Sequence, residues 1–452
     1  METELQLLDR RINERGVPVD IKALERAEIA IKKELRRLNA ECKSICGFSA
    51  TQRDAILKWL AGEGVELPDL TKSTVAETLA GDDLPPAARR VLEIRQQGSK
   101  TSTAKVRKMI DYAGTDGRMR GLMQYYGASR TGRWAGRGPQ IQNYPRGKST
   151  PEQVEIIIDA LRTNSLDQQH DVMQSISDSL RGFIKASDGN NFVVSDLAQI
   201  EARVLPWLAR DFKTLIVFRT GGDIYKTAAS RMFSIPVDQV TKDQRFIGKT
   251  ATLALGYGGG HRAFSVMSKN FGVDIPEDKA DKIKIQWRAA NKPIVLLWSE
   301  VDSAARRAIR NPRRVFQAAR CLFTWDKGSM RIQLPSTRRL FYQGAKLDER
   351  EEMSSLAKTH NGWEWVKLWG GLLVENIVQA IARDILAHGM FEAEKYGFKT
   401  VFHVHDELVC EVPTGDHMLT AELLEECMTV QPDWCMDLPL AAEGAVMKRY
   451  RK

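Results

Sequence analysis

The stretch from Val401 to Val412 constrains the fold more than any other part of the sequence. It contains two runs of apolar and β-branched residues, the pattern of two half-buried β-strands. The turn between them is His405-Asp406-Glu407, which lacks the Asn-Gly or Gly-X pair of a tight hairpin. A local folding rule that is broken inside a regular element often marks a functional site. The alternative is a surface turn whose acids face water.

A second strand pattern also ends in an acid. The apolar run 192–194 leads through Ser195 to Asp196, and apolar residues then recur with helical spacing at Ile200 and Val204. A strand should therefore place Asp196 where a helix begins. Two aspartates on adjacent strand ends can share two divalent cations about 3.5–4 Å apart, which clamp the attacking and leaving oxygens of a phosphoryl transfer. Hard cations such as Mg²⁺ also take carbonyl and phosphate oxygens, so two acids are enough.

A third stretch carries four side chains spaced four residues apart: Arg245, Lys249, Leu253 and Tyr257. On a helix these side chains form one face. Two cations, an apolar residue and an aromatic ring in line offer contacts for a triphosphate and a surface for a base. The alternative is an ordinary amphipathic helix that ends at the glycines 258–260.

In this order, the three stretches resemble the three polymerase motifs of family A DNA polymerases, the DNA polymerase I group. The matching positions are Asp196-x-x-Gln199-Ile200-Glu201-x-Arg203, Arg245-x-x-x-Lys249-x-x-x-Leu253-x-x-x-Tyr257-Gly258 and His405-Asp406-Glu407. An upstream run, from Thr131-Gly132-Arg133 to Gln142-Asn143-Tyr144-Pro145, is similar to the family's template-primer segment. The resemblance covers nearly the whole chain.

The resemblance implies an α+β fold of the right-hand polymerase architecture, with an antiparallel palm sheet and mainly helical thumb and fingers. Residues 1–120 would form the N-terminal helix that enters the palm, and the thumb. Residues 121–205 would form the first part of the palm, residues 206–330 the fingers, and residues 331–452 the second part of the palm with the His-Asp-Glu hairpin. We expect Lys100 and Lys105, in a segment of small hydroxyl residues and cations, to contact the backbone of duplex DNA; the alternative is a solvated charged helix.

Composition is consistent with this interpretation. The 452-residue chain has a formal net charge of +9, and a cationic excess suits a polyanionic partner. Six cysteines in so long a chain do not suggest a disulfide framework. Because no run of about 18 apolar residues occurs, we expect no membrane association and a cytoplasmic location, in a nucleoid or a host cell.

The implied reaction is attack by a primer 3′-hydroxyl on the α-phosphate of a deoxynucleoside triphosphate. Asp196, Asp406 and the Leu197 carbonyl would hold two Mg²⁺ ions, with Mn²⁺ as an alternative. Lys249 and Arg245 would neutralise the triphosphate, and Lys249 is also assigned to catalysis. The nucleotide site would further include Gln199, Leu253 and Tyr257.

Further roles follow from the same resemblance. Glu201 would cover the C2′ side of the sugar and so select deoxynucleotides; the alternative is a surface glutamate. The residues expected to contact primer-template DNA, besides Lys100 and Lys105, are Arg133, Gln142, Asn143, Gln379, His405 and Glu407.

The sequence departs from the family pattern at several positions. Leu253 stands where Phe or Tyr is usual, which puts dideoxynucleotide discrimination in doubt, and Leu197-Ala198 replaces an aromatic residue and Ser. Tyr225 stands where a His is often found, and Glu375 where Asn is common. These departures suggest a divergent branch of phage or prophage type.

Two other classes of protein compete with the polymerase interpretation. A two-metal nuclease would also use Asp196 and Asp406, but it would not need the face formed by Arg245, Lys249 and Tyr257. A DNA-binding scaffold with a decayed site would bind duplex without incorporating nucleotides. We expect a monomer without a proofreading exonuclease on this chain, so an exonuclease or accessory factor would be a separate partner.

Overall fold

The N-terminal part of the chain is mainly helical. The computed structural model describes residues 2–100, 102–166 and 171–451. Its first elements are α1 (Glu2–Arg15), β1 (Val17–Pro18), α2 (Ile21–Cys46), α3 (Arg53–Gly62), α4 (Lys72–Leu79), α5 (Pro86–Gly98) and α6 (Ala104–Tyr112). None of the helices in the described residues is long and apolar enough to cross a membrane.

Helix α2 follows directly from its sequence. The Asp20 side chain accepts a hydrogen bond from the Ala23 N–H, and Gly47 ends the helix in the left-handed conformation with a φ of 81°. Asp at the N-cap and Gly just after the last turn are residue types that favour these positions, so the local sequence sets both ends of the helix. The second half of α2 packs with α3, α4 and α5 around a small hydrophobic cluster, here called the α2–α5 cluster: Leu38, Cys42, Ile56, Leu60, Val91 and Leu92.

The next segment connects this helical part to the central sheet. It contains β2 (Arg118–Met119), β3 (Met123–Ala128), β4 (Arg133–Gly136), α7 (Pro151–Arg162) and α8 (Val172–Asp178). Residues 167–170, between α7 and α8, lie outside the described residues. Residues Arg181–Phe183 form a 3₁₀ turn.

One strand and a run of helices follow. They are β5 (Asn190–Leu197), α9 (Ile200–Leu208), α10 (Phe212–Arg219), α11 (Ile224–Phe233), α12 (Lys242–Leu255), α13 (His261–Asn270), α14 (Glu277–Ala290) and α15 (Lys292–Arg310). Pro276 is the residue just before α14, and Pro293 lies in the first turn of α15, where a missing backbone N–H costs no helical hydrogen bond.

A six-stranded antiparallel sheet comes next. Its strands are β6 (Val315–Ala318), β7 (Cys321–Asp326), β8 (Ser329–Gln333), β9 (Arg339–Leu347), β10 (Met353–Thr359) and β11 (Gly362–Leu368). Each strand pairs with the next along the chain, so β6 and β11 are the edges. Its inner face, including Phe323, Ile332 and Tyr342, is buried against α15 and α16.

The chain ends in α16 (Gly370–Lys395), β12 (Lys399–Val404), β13 (Glu407–Pro413), α17 (Ala421–Thr429) and β14 (Ala442–Met447). Strands β12, β13, β5 and β14 form, in that order, a four-stranded antiparallel sheet. One face of this central sheet contributes Val193 and Leu408 to the main hydrophobic core, and the other contributes Phe192 and Val409 to a second core. The predicted α+β fold with an antiparallel central sheet is confirmed.

Candidate active site

The central sheet brings Asp196 and Asp406 together where the end of β5 meets the start of β13. Strands β5 and β13 are antiparallel neighbours, with Asp196 directly opposite Glu407, and Asp406 is the last residue of the turn before β13. The Leu197 N–H donates a 3.1 Å hydrogen bond to the Asp406 carbonyl, which ties that turn to the end of β5. Two acids that lie 210 positions apart in the sequence therefore meet at the ends of neighbouring strands.

The turn that carries Asp406 is closed by a non-glycine residue in the left-handed region. His405 has a φ of 56°, a conformation that histidine tolerates better than a β-branched residue does. The hairpin can therefore form without the usual turn glycine. The His405 side chain is exposed, and the pKa of its imidazole is lowered by partial desolvation and by the charge of Arg133.

The two carboxylates are poised for a cation. Burial, followed by the negative charge of Asp196, raises the pKa of Asp406 to about 6. No group of three or more His, Cys, Asp and Glu side chains placed to hold a metal occurs among the described residues. Two carboxylates and the Leu197 carbonyl nevertheless fit a hard cation such as Mg²⁺, because this ion completes its shell with water and substrate phosphates.

Two further acids lie beside this pair, and one was missed by sequence reasoning. Glu407 is buried and accepts a 2.7 Å hydrogen bond from the Tyr450 hydroxyl, so its side chain is held inside the protein. Glu443, on β14, lies directly opposite Asp196 in the strand register. Only the pairing of β14 with β5 reveals Glu443, because residues 442–447 carry no recognisable motif.

Glu201 lies in the first turn of α9, just after the acid at the end of β5. An Arg133 nitrogen lies 3.2 Å from Oε1 of Glu201, and the Tyr257 hydroxyl donates a 3.4 Å hydrogen bond to Oε2. Burial and the Glu201 charge raise the pKa of Tyr257 well above its usual value, so this hydroxyl stays protonated. Gln199, at the start of α9, has a φ of 53°. Glu201, the predicted sugar-selecting residue, thus contacts both Tyr257 and Arg133. Tyr257 is predicted to bind the nucleotide, and Arg133 is predicted to contact DNA.

Helix α12 carries Arg245 and Lys249 of the predicted cationic face, but the helix ends before Tyr257. The Arg245 guanidinium donates a 2.6 Å hydrogen bond to Asp223 and lies 5.5 Å from the centre of the Tyr225 ring. The Lys249 ammonium lies 5.4 Å from the centre of the Phe271 ring, and the Leu253 side chain is exposed.

The face that was predicted to continue through Tyr257 ends earlier. Helix α12 stops at Leu255, so Tyr257 lies in the following turn. The Trp298 indole N–H donates a 2.9 Å hydrogen bond to the Gly256 carbonyl and so satisfies one of the groups at the end of the helix.

Two glycines at the start of α16 allow a close contact with that turn. A Cβ on Gly371 would lie 2.2 Å from the Tyr257 carbonyl oxygen, and one on Gly370 would lie 2.0 Å from the Trp298 carbonyl oxygen. No side chain fits at either position. The beginning of α16 therefore sets the position of Tyr257.

Three of the predicted DNA-contacting residues lie on different elements: Gln142 and Asn143 on the short 3₁₀ turn Ile141–Asn143, and Gln379 on α16. The Gln142 amide packs so closely on Gly136 that a Cβ there would clash, and Asn143 donates a hydrogen bond to Gln140. Gln379 is half-buried on α16.

Lys100 and Lys105 are engaged within the protein. The Lys100 ammonium lies 2.6 Å from the Gln174 side-chain oxygen, and the Lys105 ammonium lies 3.1 Å from the Pro139 carbonyl. Burial lowers the pKa of both side chains.

A buried arginine that we had not singled out supports the site. Arg383 of α16 is almost fully buried and donates hydrogen bonds to Glu2, Asp384 and the Gly132 carbonyl. It thereby ties α1 and the loop before Arg133 to α16. A helical arginine near an acid is so common in sequences that no signal could have identified this role.

Comparison with known proteins agrees with this fold. The family model described as DNA polymerase family A matches residues 21–310. The DNA polymerase of Bacillus phage SP02 is 38% identical over 464 residues, covering 100% of this chain and 71% of the phage protein. The thermostable DNA polymerase I of Thermus thermophilus is 24% identical, covering 98% of this chain and 47% of that protein. The POL domain of Pol1 from M. smegmatis, in complex with DNA primer-template and dNTP, is similar with a TM-score of 0.68 and 18% identity, covering 100% of this chain and 70% of that one.

The chain belongs to DNA polymerase family A. The predicted class of enzyme, a DNA-directed DNA polymerase with the right-hand fold, is confirmed by the family match and by the relatives. The similarity to a phage enzyme also agrees with the branch that the departures suggested. Family A polymerases use divalent metals.

Proposed function

We propose that this chain adds deoxynucleotides to a primer 3′-hydroxyl in template order, using two Mg²⁺ ions. One observation carries the proposal: Asp196 and Asp406 meet at the ends of adjacent strands. The contact of Glu201 with Tyr257 lies beside them. When bound, the cations would lower the pKa of the attacking hydroxyl and neutralise the leaving pyrophosphate, and Mn²⁺ is an alternative.

The metal ligands would be two carboxylates and a carbonyl. Asp196 and Asp406 supply the charges, and the Leu197 carbonyl is the third protein oxygen. The raised pKa of Asp406 supports this role, because a carboxylate that is costly to ionise in the empty site gains the most from an adjacent cation.

The nucleotide would lie between this pair and α12. Lys249 and Arg245 would hold the triphosphate, and the hydrogen bond from Arg245 to Asp223 would have to exchange for phosphate oxygens. Leu253 and Tyr257 would face the base, and Gln199 would line the pocket near the start of α9. Glu201, restrained by Arg133 and Tyr257, would leave no room for a ribose hydroxyl at C2′.

Primer-template DNA and deoxynucleoside triphosphates are the proposed partners. We propose four parts along the chain. Residues 1–120 would form the N-terminal helix that enters the palm, and the thumb; residues 121–205 the first part of the palm. Residues 206–330 would form the fingers, and residues 331–452 the second part of the palm. In that arrangement DNA would contact Arg133, Gln142, Asn143, Gln379, His405 and Glu407, with Lys100 and Lys105 toward the duplex.

The burial of Glu407 and the internal hydrogen bonds of the half-buried Lys100 and Lys105 favour a positioning role over direct contact with DNA. Glu407 would act through the turn that carries Asp406, and the two lysines through the segments they hold.

We further propose that the enzyme is a monomer and works in the cytoplasm, where its DNA and nucleotides are found. Proofreading would come from a separate exonuclease or accessory factor. Shortening of a mismatched primer by the pure protein with Mg²⁺ would contradict the last point.

Extension of a labelled primer on a template, with Mg²⁺ and dNTPs, tests the main proposal. Asp196→Asn and Asp406→Asn should each reduce the rate of nucleotide addition at least 10³-fold, because each removes a ligand and a charge from the metal site. The matched control is Asp188→Asn, since the Asp188 side chain is almost fully exposed.

Three results would contradict the proposal. Extension by either Asn variant at the wild-type rate would remove the metal-ligand assignment. Degradation of DNA without nucleotides, lost in both variants, would indicate a nuclease. Duplex binding without any incorporation by the wild-type protein would indicate a scaffold.

A further inference from the structure

The outer face of the six-stranded sheet β6–β11 is not used by the site described above. Strand register and alternation define this face, since directly opposed residues on paired strands point to the same side. Trp363 and Trp365 of β11 are opposite Lys358 and Leu356 of β10, on the side away from the buried Met353 and Leu368. We call this solvent-facing side the outer face.

Large aromatic side chains are exposed on the outer face. Trp363 is 65% exposed, Trp365 49% and Phe341 48%. Trp363 and Trp365 are two positions apart on one strand, which places them about 7 Å apart along the strand. Exposed tryptophans are costly unless they have a partner, so this cluster marks an interaction surface.

The charges on the outer face are mostly positive. The strand residues on it include five cations, Arg331, Arg339, Lys346, Lys358 and Lys367. Among the described strand residues on this face there is one acid, Asp326, and it lies 3.4 Å from Arg331. The face is therefore apolar and cationic at once.

Cations and rings are interleaved on this surface. The Lys346 ammonium lies 3.8 Å from the centre of the Trp365 ring, and the Arg331 guanidinium lies 5.8 Å from that of Phe341. Lys346 and Lys358 form no ion pair with any described residue, so both charges remain available to an anion. Lys367, in contrast, pairs with Glu352 at 2.6 Å.

A bulge in β9 provides the seat for Trp365. The register between β9 and β10 shifts between Ser354 and Leu356, and Gly344 has a φ of 59° there. A Cβ on Gly344 would lie 3.3 Å from the Trp365 ring, so the ring lies close over the glycine. The orientation of the exposed ring is thus set by the fold.

We propose that the outer face of β6–β11 binds single-stranded DNA. Bases would stack on Trp363, Trp365 and Phe341, while Lys346 and Lys358 contact the phosphates between them. Stacking on aromatic rings combined with a cationic track is the general mode of sequence-independent single-strand binding, and exposed β-sheet faces are a common platform for it.

The sheet is connected to the active site by a short segment. Strand β11 ends at Leu368, and two residues later Gly370 and Gly371 pack against Trp298 and Tyr257. Under the proposed function, which this step requires, the single strand would be either the template ahead of the site or a strand displaced from it. Both sources present the same bases and phosphates.

Direct binding tests the proposal without any need for polymerase activity. The full chain is titrated into a fluorescein-labelled 20-nucleotide oligothymidine, and separately into a blunt duplex, while anisotropy is recorded. The Trp363→Leu/Trp365→Leu variant should bind the single strand at least tenfold more weakly, since each stacked base contributes substantially, with little change for duplex. The Trp363→Phe/Trp365→Phe variant should retain most of the affinity, because the rings remain.

The charges are tested separately. The Lys346→Met/Lys358→Met variant should make the slope of log binding constant against log salt concentration less negative by about one to two, since two phosphate contacts are lost. The matched control is Tyr396→Leu/Lys399→Met, which changes an exposed aromatic and an exposed lysine beyond the far end of α16. It should bind like the wild type.

Photocrosslinking identifies the source of the strand. One substrate carries 5-iodouracil in the template overhang, and another carries it in the 5′ flap of a downstream strand. A crosslink to Trp363 or Trp365 from either substrate supports the proposal and names the source.

Wild-type single-strand affinity in the Leu and Met variants would overturn the proposal. So would self-association of the wild type that the Leu variant abolishes without a change in single-strand binding, because the occupant would then be a second copy. Neither result would affect the primer-extension test of the active site.

Discussion

At the scale of residues, the candidate site is a place where negative charge is concentrated and only partly balanced. Asp196, Asp406 and Glu201 lie near one another, and Arg133 is the cation that contacts this group through Glu201. Burial and the Glu201 charge also raise the pKa of Glu375, which stands where the family commonly has Asn. The site is therefore unfavourable when empty, and a bound cation would relieve it.

The stability of the metal-free protein should show this unfavourable charge. The pKa of Asp406 is about 6 in the folded state and near 4 in the unfolded chain, so the folded state loses stability as pH rises from 4 to 6. Asp406→Asn should stabilise the metal-free protein at pH 7.5 by about 1–2 kcal/mol, with little effect at pH 4. Urea unfolding in EDTA measures both.

Magnesium should reverse the order of stability of the wild type and Asp406→Asn. Added Mg²⁺ should stabilise the wild type and not Asp406→Asn, because only the folded wild type has the complete ligand pair. Asp188→Asn should behave as the wild type throughout. If Asp406→Asn is less stable than the wild type at pH 7.5 without metal, this account is wrong.

Glu201 should control sugar selection. Glu201→Ala removes the carboxylate that would occupy the space of a ribose 2′-hydroxyl, so we expect the preference for dNTP over rNTP in kcat/KM to fall at least tenfold. Single-nucleotide incorporation with each substrate measures this ratio. Glu77→Ala, at an exposed position on α4, is the control; an unchanged ratio in Glu201→Ala would show that Glu201 does not select the sugar.

At the scale of elements, α12 is fixed at both ends by other helices. Arg245 contacts Asp223 at the start of α11, and the turn after α12 is held by Trp298 and by the glycines that begin α16. The contact between α16 and that turn is between backbones, so it does not adapt to a larger side chain. The C-terminal end of α12 is therefore held by close backbone packing, whereas its N-terminal end is held through the side-chain contact of Arg245 with Asp223.

The glycine contact can be tested with one methyl group. Gly371→Ala would place a Cβ 2.2 Å from the Tyr257 carbonyl oxygen, so the turn must shift. We expect at least a tenfold loss of kcat/KM for dNTP incorporation with a circular dichroism spectrum like that of the wild type. Gly62→Ala, where no atom lies within 4 Å of the added Cβ, is the control. Wild-type kcat/KM in Gly371→Ala would refute the positioning role.

At the scale of the whole molecule, the described residues form three hydrophobic cores. Two of them lie on opposite faces of the central sheet, whereas the α2–α5 cluster is separate and is reached through α2. A separate small core can open by itself, so this part should be the least stable unit of the enzyme.

Hydrogen exchange should detect independent opening of the α2–α5 cluster. Leu60 is fully buried there, and Leu60→Ala should destabilise the cluster by about 2–4 kcal/mol. Amides of α3, α4 and α5 should then exchange faster, while those of β5 and β13 keep their wild-type protection. Leu7→Ala, at an exposed position, should change neither. Equal loss of protection in β5 would mean that the two cores unfold together.

Local sequence patterns were sufficient for several of the helices and strands and for the main motifs. Strand signals ending in Asp196 and Asp406, a capped α2 and a cationic face on α12 each arise from neighbours a few positions apart, where backbone and side-chain preferences act directly. The resemblance to family A rested on these same stretches. Residues 315–368 were mostly missed as a sheet, because short alternating strands are weak signals until they pair.

What only the tertiary structure decided is which of these residues meet. The register that sets Glu443 and Glu407 on either side of Asp196, the bridge from Arg133 through Glu201 to Tyr257, and the burial that raises the pKa of Asp406 all depend on contacts between distant parts of the chain. The sequence alone determined the acids and cations and the elements that carry them. Packing determined their distances and their solvent exposure, and the strength of an electrostatic interaction depends on both.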